Sequence, residues 1–581
     1  MATLTVDDAP GAARPRERGR RSPLWWAVVA LPAAAAVAYT VLTRRLTGDL
    51  HYVLGALRTG DAAGWSPSEV FTHRPFFYRW FVAGLDVLTF GGVTTREAIM
   101  AAVGVLLAAA AAYALHTALL RRVTGREAAL TAGATGLALA LAPRTDFLQP
   151  EWAAVVLTVF GIAAVLGLDR PWPAALLGTL PMGLAVMMKY STAATAAVGL
   201  LLVYVVDRGR AVRLGLLTAA GSIGLFGLSL LAGSREWRWT EDMPRINQDS
   251  FGRTGLDLGA TFHQSVAWLA DRAILTPVLL LLPGALLLVL SRVRGRRRLA
   301  ELLLVAVVIG LGALGSVVVQ GNWFSYHGAQ LPVLAAALWG LAVGGARRSP
   351  PWFFGAVSLA YGVLPVLYTG APEGLQRPAT AWALCFAALV AAGADTLVAA
   401  RRNRSGRRTG PRGVGAAAVI SLAGVVCLTG AIWPGSPHRV LDGKVMATST
   451  DYLHEMRDNQ AVAARLGAAM PQDAPVLYLA FGDTAYYLDH PVQCRYPIAT
   501  FLQRTRFIAD VAELPSYREN ADCVDHDPAP YAVLDWSWFR PGSVDPALQR
   551  RISAVYDCPP APAQGDKTVL CTRKNGAGQA N

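Results

Sequence analysis

Five short polar stretches of this chain carry residues able to do chemistry, and each borders an apolar run. The first is Gly48-Asp49-Leu50-His51-Tyr52, just past the apolar run 24–42. Next come Thr72-His73-Arg74-Pro75-Phe76-Phe77-Tyr78-Arg79-Trp80 and Pro143-Arg144-Thr145-Asp146-Phe147-Leu148-Gln149-Pro150-Glu151-Trp152. Lys189-Tyr190 and Gln320-Gly321-Asn322-Trp323-Phe324-Ser325-Tyr326-His327 complete the set. A carboxylate in such company can take a proton from a hydroxyl. Cations hold phosphate. Aromatic faces stack on sugar rings or line a lipid path. Together these are the groups that a site for a lipid phosphate carrying a sugar requires.

Each residue also has a plainer reading. Asp49 could be a solvated acid past a helix end, but its delivery by the first apolar run favours a catalytic base. Asp146 and Glu151 could cap short loops, or help to place acceptor, donor or metal. Lys189 and, more weakly, Arg144 could snorkel to the interface, or bind phosphate as point charges. His73 and Arg74 could anchor a surface helix, or hold phosphate. Tyr326-His327 could be a hydrogen-bonded structural pair where a helix re-enters the membrane, or part of the site. Trp536-Ser537-Trp538 and Tyr486-Tyr487 read as core or surface aromatics sooner than as a sugar platform.

The elements that must position these residues are membrane helices. Of 581 residues 54% are hydrophobic and 16% charged, with mean hydropathy +0.37. Soluble domains carry roughly 25% charge. A disordered chain, a disulfide-dense mini-protein and an ordinary cytosolic enzyme are excluded. Apolar runs lie at 24–42, 98–120, 128–143, 152–168, 173–188, 191–206, 213–232, 276–291, 299–318, 329–345, 352–369, 380–400 and 413–433. The fold class is therefore a polytopic α-helical membrane protein of about thirteen transmembrane helices, at the ~20-residue length that a bilayer demands.

Charge orients them. The chain carries a formal +14, yet from Trp433 onward the balance is −3, so the remainder holds +17. Arginines cluster at 14–21, 121–122, 208–213, 292–298, 347–348 and 401–412, in alternate loops. That is the positive-inside pattern rather than a nucleic-acid footprint. It predicts a cytosolic basic arm over 1–23, a membrane domain over 24–433 with a long first outer loop 44–97, and an extracytoplasmic domain over 434–581. The stretch Phe76 to Phe90 suits a helix lying along the membrane surface.

Four of six cysteines, Cys494, Cys523, Cys558 and Cys571, fall in the tail. Two disulfides are expected in an oxidising compartment. Three pairings are possible, and local closure favours 494–523 with 558–571. Helical periodicity over Asp451–Leu466 and 546–555 alternates with strand candidates at 475–480, 529–536 and 567–571, which reads as a small α/β domain. There is no phosphate loop, no HExxH and no four-cysteine zinc spacing. No cofactor is called for, although the carboxylates could host a divalent cation.

The order of first helix, acidic residue, Tyr, Gly-Asp and then a basic-Pro-aromatic segment resembles the C-type (GT-C) glycosyltransferase superfamily. It is most similar to the branch of protein O-mannosyltransferases and the lipid A aminoarabinose transferase. In that branch the first loop has an Asp-Glu pair, a Tyr, a Gly-Asp and a Lys-Pro-Pro-Leu-x-Tyr-Trp-like segment. Here Asp49 stands at the first acidic position, Leu50 replaces the usual Glu, and His73 to Trp80 stands at the second segment with a single Pro. The resemblance implies a plasma-membrane enzyme that moves a monosaccharide from a polyprenyl-phosphate donor to a hydroxyl of an envelope glycan, lipid or protein. Asp49 would be the inverting base, and lipid phosphate would be held by Lys189, Arg74 or Arg144. The rival readings are a transporter or flippase of lipid-linked sugars, which would place charges at the bilayer midplane on repeated halves, and a non-catalytic assembly protein.

Overall fold

A computed structural model of the protein describes residues 23–250, 257–346, 349–404, 413–497, 510–526, 529–539, 542, 544, 546–561 and 567–574. The basic arm, but for Pro23, lies outside these residues, as do Arg347, Arg348 and residues 405–412. The chain opens with helices α1 (Pro23–Thr43), α2 (Gly48–Ala62), α3 (Phe76–Val87), α4 (Val93–Leu119), α5 (Gly125–Ala140) and α6 (Pro150–Gly167). Then follow α7 (Pro171–Met188), α8 (Ala193–Val206), α9 (Arg208–Ala232), α10 (Glu236–Ser250), α11 (Leu258–Leu275) and α12 (Leu282–Leu290). The helical region ends with α13 (Arg296–Gln320), α14 (Gln330–Gly344), α15 (Trp352–Thr369), α16 (Pro378–Arg404) and α17 (Gly413–Thr429).

Each of the thirteen apolar runs coincides with a helix. Among the described residues 8 helices are long and apolar enough to cross a membrane, or up to 10 if bent pairs count as single spans. Two shorter apolar helices, Tyr190–Val206 and Gly415–Thr429, accompany them. One bent pair is α1 with α2, which turn by 54°. The other is α11 with the segment Pro277–Leu290, which turns by 111° where the sequence has Thr276-Pro277. Proline lacks the N–H that would continue a helix.

Helices α6 and α14 form the buried interior of the bundle, while α9 and α13 expose most of their surface. Lipid tails supply no hydrophobic drive between helices, so close backbone approach over small residues holds them. On α14 a Cβ at Gly340 would stand 2.4 Å from the Leu130 carbonyl oxygen, and one at Gly344 2.7 Å from Glu127 Cα. These two glycines, four apart, seat α14 on α5.

Arginines cap helix C-termini at the end of the bundle far from the polar stretches. Arg210 donates to the carbonyls of Val165, Leu168 and Asp169 after α6. Arg126 and Arg292 donate to those of Val343, Leu341 and Ala342 at the end of α14. Cations there satisfy carbonyls that the helix leaves unpaired. The N-termini of α6 and α14 consequently lie at the opposite end.

The C-terminal domain caps that opposite end. A hairpin pairs β1 (Pro437–Leu441) with β2 (Lys444–Thr448), and α18 (Ser449–Gly467) follows. Then come β3 (Val476–Leu479), α19 (Gly482–Leu488), α20 (Pro515–His526), β4 (Tyr531–Asp535), α21 (Pro546–Val555), β5 (Tyr556–Asp557) and β6 (Thr568–Arg573). The sheet order is β3-β4-β6-β5, parallel between β3 and β4 and antiparallel elsewhere. Cys494 bonds Cys523 and Cys558 bonds Cys571. Cys385 and Cys427 are thiols in the bundle.

Helix α19 packs on α2 with almost no gap. A Cβ at Gly482 would stand 2.1 Å from Tyr52 Cα, and one at Gly55 2.8 Å from the Tyr486 nitrogen. The Phe71 N–H donates to the Arg495 carbonyl at 2.8 Å, and the Trp239 indole to the Tyr496 hydroxyl at 3.1 Å. The domain is thus keyed into the first loop and α10.

The Cys494–Cys523 bond closes a loop of 29 residues in sequence separation. Chain entropy assigns such a loop about 3–4 kcal/mol. Replacing both cysteines by serine should speed amide hydrogen exchange in β3, β4 and α20, while exchange in α6 and α14 stays as in the wild type.

Candidate active site

The polar stretches converge under the C-terminal domain. Thr47 caps α2, its hydroxyl accepting the Leu50 N–H at 3.3 Å and a hydrogen bond from Gln149 Nε2 at 2.9 Å. This places Asp49 in the first turn of α2, where the helix dipole favours a carboxylate. Its side chain keeps 34% exposure, so a substrate can reach it. Arg74 Nη2 lies 4.0 Å from Asp49 Oδ2, and buried Tyr326 lies within electrostatic reach of the same carboxylate.

Next to this group lies a second. Lys189, at the end of α7, donates to Glu151 Oε1 at 2.7 Å and to His327 Nε2 at 3.2 Å. Because Nε2 accepts from the ammonium, the His327 proton sits on Nδ1. The Lys189 ammonium also lies 5.6 Å from the centre of the Tyr326 ring, a cation–π contact that joins the two groups. Glu151 is in the first turn of α6 and 3% exposed. Among the described residues, buried Arg74 Nε, Glu151 Oε2 and His327 Nδ1 have no hydrogen-bond partner.

The loops that present these residues are strained. His73, Leu148 and Trp323 have φ of 53°, 62° and 52°. Non-glycine residues seldom adopt positive φ, and such strain collects at working sites. Around His73 the strain is held by Arg79, which donates to the carbonyls of Pro67 and Arg74 at 2.8 Å each and to Glu236 Oε2 at 2.6 Å. Glu236 Oε1 in turn accepts the Phe76 N–H at 3.1 Å. Arg79 lies on α3, predicted to follow the membrane surface; its cation faces inward while Trp80 and Val87 stay exposed.

The structure therefore gathers Asp49, Arg74, Tyr326, Lys189, Glu151 and His327. His73 contributes its backbone, accepting a hydrogen bond from Arg74 Nη1 at 3.3 Å. Two candidates lie apart from the cluster. Asp146 takes both amino nitrogens of Arg272, one at 3.0 Å, in a fully buried pair that ties α11 to the loop before α6. Arg144 donates to the Thr43 carbonyl at the end of α1, at 3.4 Å. Among the described residues no three His, Cys, Asp or Glu side chains converge in a way that could hold a metal ion. Arg272, Glu236 and Gln149 were missed by sequence reasoning. Arg272 is a charge in an apolar run, whereas Glu236 sits among Arg235, Arg238, Glu241 and Asp242, and in neither case does the local sequence reveal a partner.

Outside the bundle, Glu69 ties the first loop to the C-terminal domain. Its carboxylate accepts from Ser66 N–H at 3.2 Å and from Arg495 at 2.9 Å, and these bonds hold its pKa below the ordinary carboxylate value.

No protein-family model matches the chain, and no curated protein does. Solved structures do. A crystal structure of ArnT from Cupriavidus metallidurans bound to undecaprenyl phosphate superposes with a TM-score of 0.54 at 16% identity, covering 96% of this chain and 100% of that one. The apo form of the same enzyme gives 0.53 over the same coverage. The chain has the fold of ArnT. With that fold and its apolar helices it is a multi-pass membrane protein. The match at 96% of this chain takes in its bundle and its C-terminal domain.

Removing Arg79 strands the Glu236 carboxylate in a dry interior, a change that costs about 3–5 kcal/mol. Arg79→Met should lower the thermal midpoint in detergent sharply, and adding Glu236→Leu should recover the part due to the stranded carboxylate but not the part due to the lost bonds to the Pro67 and Arg74 carbonyls.

Proposed function

We propose that this protein is an inverting glycosyltransferase of the plasma membrane. It moves a monosaccharide from a polyprenyl-phosphate donor to a hydroxyl of a cell-envelope glycan, lipid or protein. The carrying observation is the reachable Asp49 carboxylate set against Arg74 and Tyr326 beside the Lys189–Glu151–His327 group. The ArnT fold, seen with undecaprenyl phosphate in that enzyme, supports the same donor class.

In this reading Asp49 takes the proton of the acceptor hydroxyl. The hydroxyl oxygen bonds to the anomeric carbon as the bond from that carbon to the phosphate oxygen breaks. The electron pair leaves with the lipid phosphate, and one displacement inverts the centre. Arg74 and Lys189 meet the charge that grows on the leaving phosphate, where fixed cations act most strongly. Arg74 lies 4.0 Å from Asp49, longer than a hydrogen bond, so it can turn to the phosphate. His327 Nδ1 offers a further donor.

The site end of the bundle would face outward. The arginine-capped end opposite it suits the cytosol, and the two disulfides suit an oxidising space. The C-terminal domain would then be extracytoplasmic, roofing the site.

Asp49→Asn should reduce sugar transfer in liposomes by about 10²–10⁴-fold, the range for a general base, with undecaprenyl phosphate binding retained. Lys189→Gln should weaken undecaprenyl phosphate binding about 10–100-fold, as loss of a charged hydrogen bond does. Transfer at the wild-type rate by Asp49→Asn rejects the assigned base. Comparing lipid-linked sugars and envelope glycans with and without the gene identifies the sugar.

A further inference from the structure

Two residues beyond Asp49 on α2, His51 is completely buried between two carboxylates. Its Nδ1 lies 2.9 Å from Asp483 Oδ1 and its Nε2 lies 2.9 Å from Glu97 Oε1. A neutral imidazole donates from one nitrogen only, and its other nitrogen would then face a carboxylate lone pair. Both bonds are made when the ring is an imidazolium. The ring stacks on Tyr486 at 4.3 Å and 12° and meets Tyr487 edge-on at 5.2 Å. Arg45 lies 3.4 Å from the second Glu97 oxygen, so two cations balance two carboxylates. Asn459 of α18 donates to Asp483 Oδ2 at 3.1 Å.

The three charged partners come from three places: Glu97 from the first turns of α4, Asp483 from α19, and His51 from the helix that carries Asp49. Asp483 also abuts the residue before Asp49, since a Cβ on Gly48 would stand 3.4 Å from both of its carboxylate oxygens. The first turn of α2 is thereby gripped on one side by Thr47 and Gln149 and on the other by Asp483. Nothing in the glycosyl-transfer reading uses His51, yet a buried charged triad is a costly way to fill space.

We propose that His51, clamped as an imidazolium between Glu97 and Asp483, is a positioning residue that makes the C-terminal domain part of the catalytic apparatus by setting the first turn of α2 and with it Asp49. The inference rests on Asp49 being the base. Burial alone would push the imidazole down, but the hydrogen bonds to Asp483 and Glu97 outweigh it and raise the pKa to about 9. A raised folded pKa means that the clamp is fully formed below the ordinary histidine range near 6.5 and is lost as pH rises through about 9.

Hydrogen exchange of the full-length protein in liposomes reads the clamp without any substrate. After correction for intrinsic rates, the amides of residues 48–58 should lose protection above about pH 9 in the wild type, and at a lower pH in Glu97→Gln. At pH 7 His51→Gln should exchange those amides at least about tenfold faster, with α6 and α14 unchanged. Should His51→Gln not fold, Asp483→Asn removes one charge at constant size and must move exchange the same way. With a panel of undecaprenyl-phosphate hexoses and pentoses, His51→Gln should lower kcat at least about tenfold while undecaprenyl phosphate affinity moves less than about threefold, the signature of a misplaced group. Wild-type protection of α2 in His51→Gln, or an unshifted midpoint in Glu97→Gln, overturns the proposal. An active Asp49→Asn alongside a loosened α2 in His51→Gln instead sinks the base assignment and leaves the clamp standing.

Discussion

A charged side chain at the rim of a hydrocarbon layer has little water to solvate it, so its counter-charge must come from the protein. That constraint organises the polar end of this molecule. Arg79 is neutralised by Glu236, Arg272 by Asp146, Lys189 by Glu151, and His51 by Glu97 and Asp483. In each pair the partners come from different elements, so each neutralisation also joins two pieces of backbone. Such pairs contribute little net stability, because desolvation offsets attraction. They specify geometry instead: satisfying each charge fixes where a loop or a helix end lies.

The candidate site sits at a gap in this network. Asp49 and Arg74 stand 4.0 Å apart, longer than a hydrogen bond, while the surrounding pairs are in direct contact. Tyr326 stands between the two halves, electrostatically near Asp49 and with its ring 5.6 Å from the Lys189 ammonium. Buried partnerless donors at Arg74 Nε and His327 Nδ1 add to this under-coordination. A transferring phosphate is the kind of group that would complete it. Strain at His73, Leu148 and Trp323 belongs to the same picture, since loops held open to present side chains cannot relax into regular turns.

The C-terminal domain is bound into this end by more than a linker. Close packing of α19 on α2, the Arg495 contacts to the first loop and the disulfide at Cys494 make one continuous body from Asp49 to β3. The likeness to the ArnT fold runs over 96% of the chain, through bundle and C-terminal domain alike.

Apolar length and arginine spacing were legible in the chain because they depend on local composition alone. The thirteen runs mark helices, Arg210 and Arg292 of the described clusters mark one end of the bundle, and the tail elements at 451–466, 475–480 and 529–536 lie where hydrophobic periodicity puts them. The polar stretches of the first loop could also be read, since few polar residues interrupt such a chain. Which charge meets which could not. Asp146 and Glu151 look alike in sequence, five residues apart, yet one is consumed by Arg272 and the other faces Lys189. Arg79 looked like a surface cation on α3 and is buried on Glu236. His51 passed as part of a motif because its partners lie 46 and 432 residues away. Local pattern decides what enters the membrane, while pairing in a medium of low dielectric is decided only by the three-dimensional approach of distant segments.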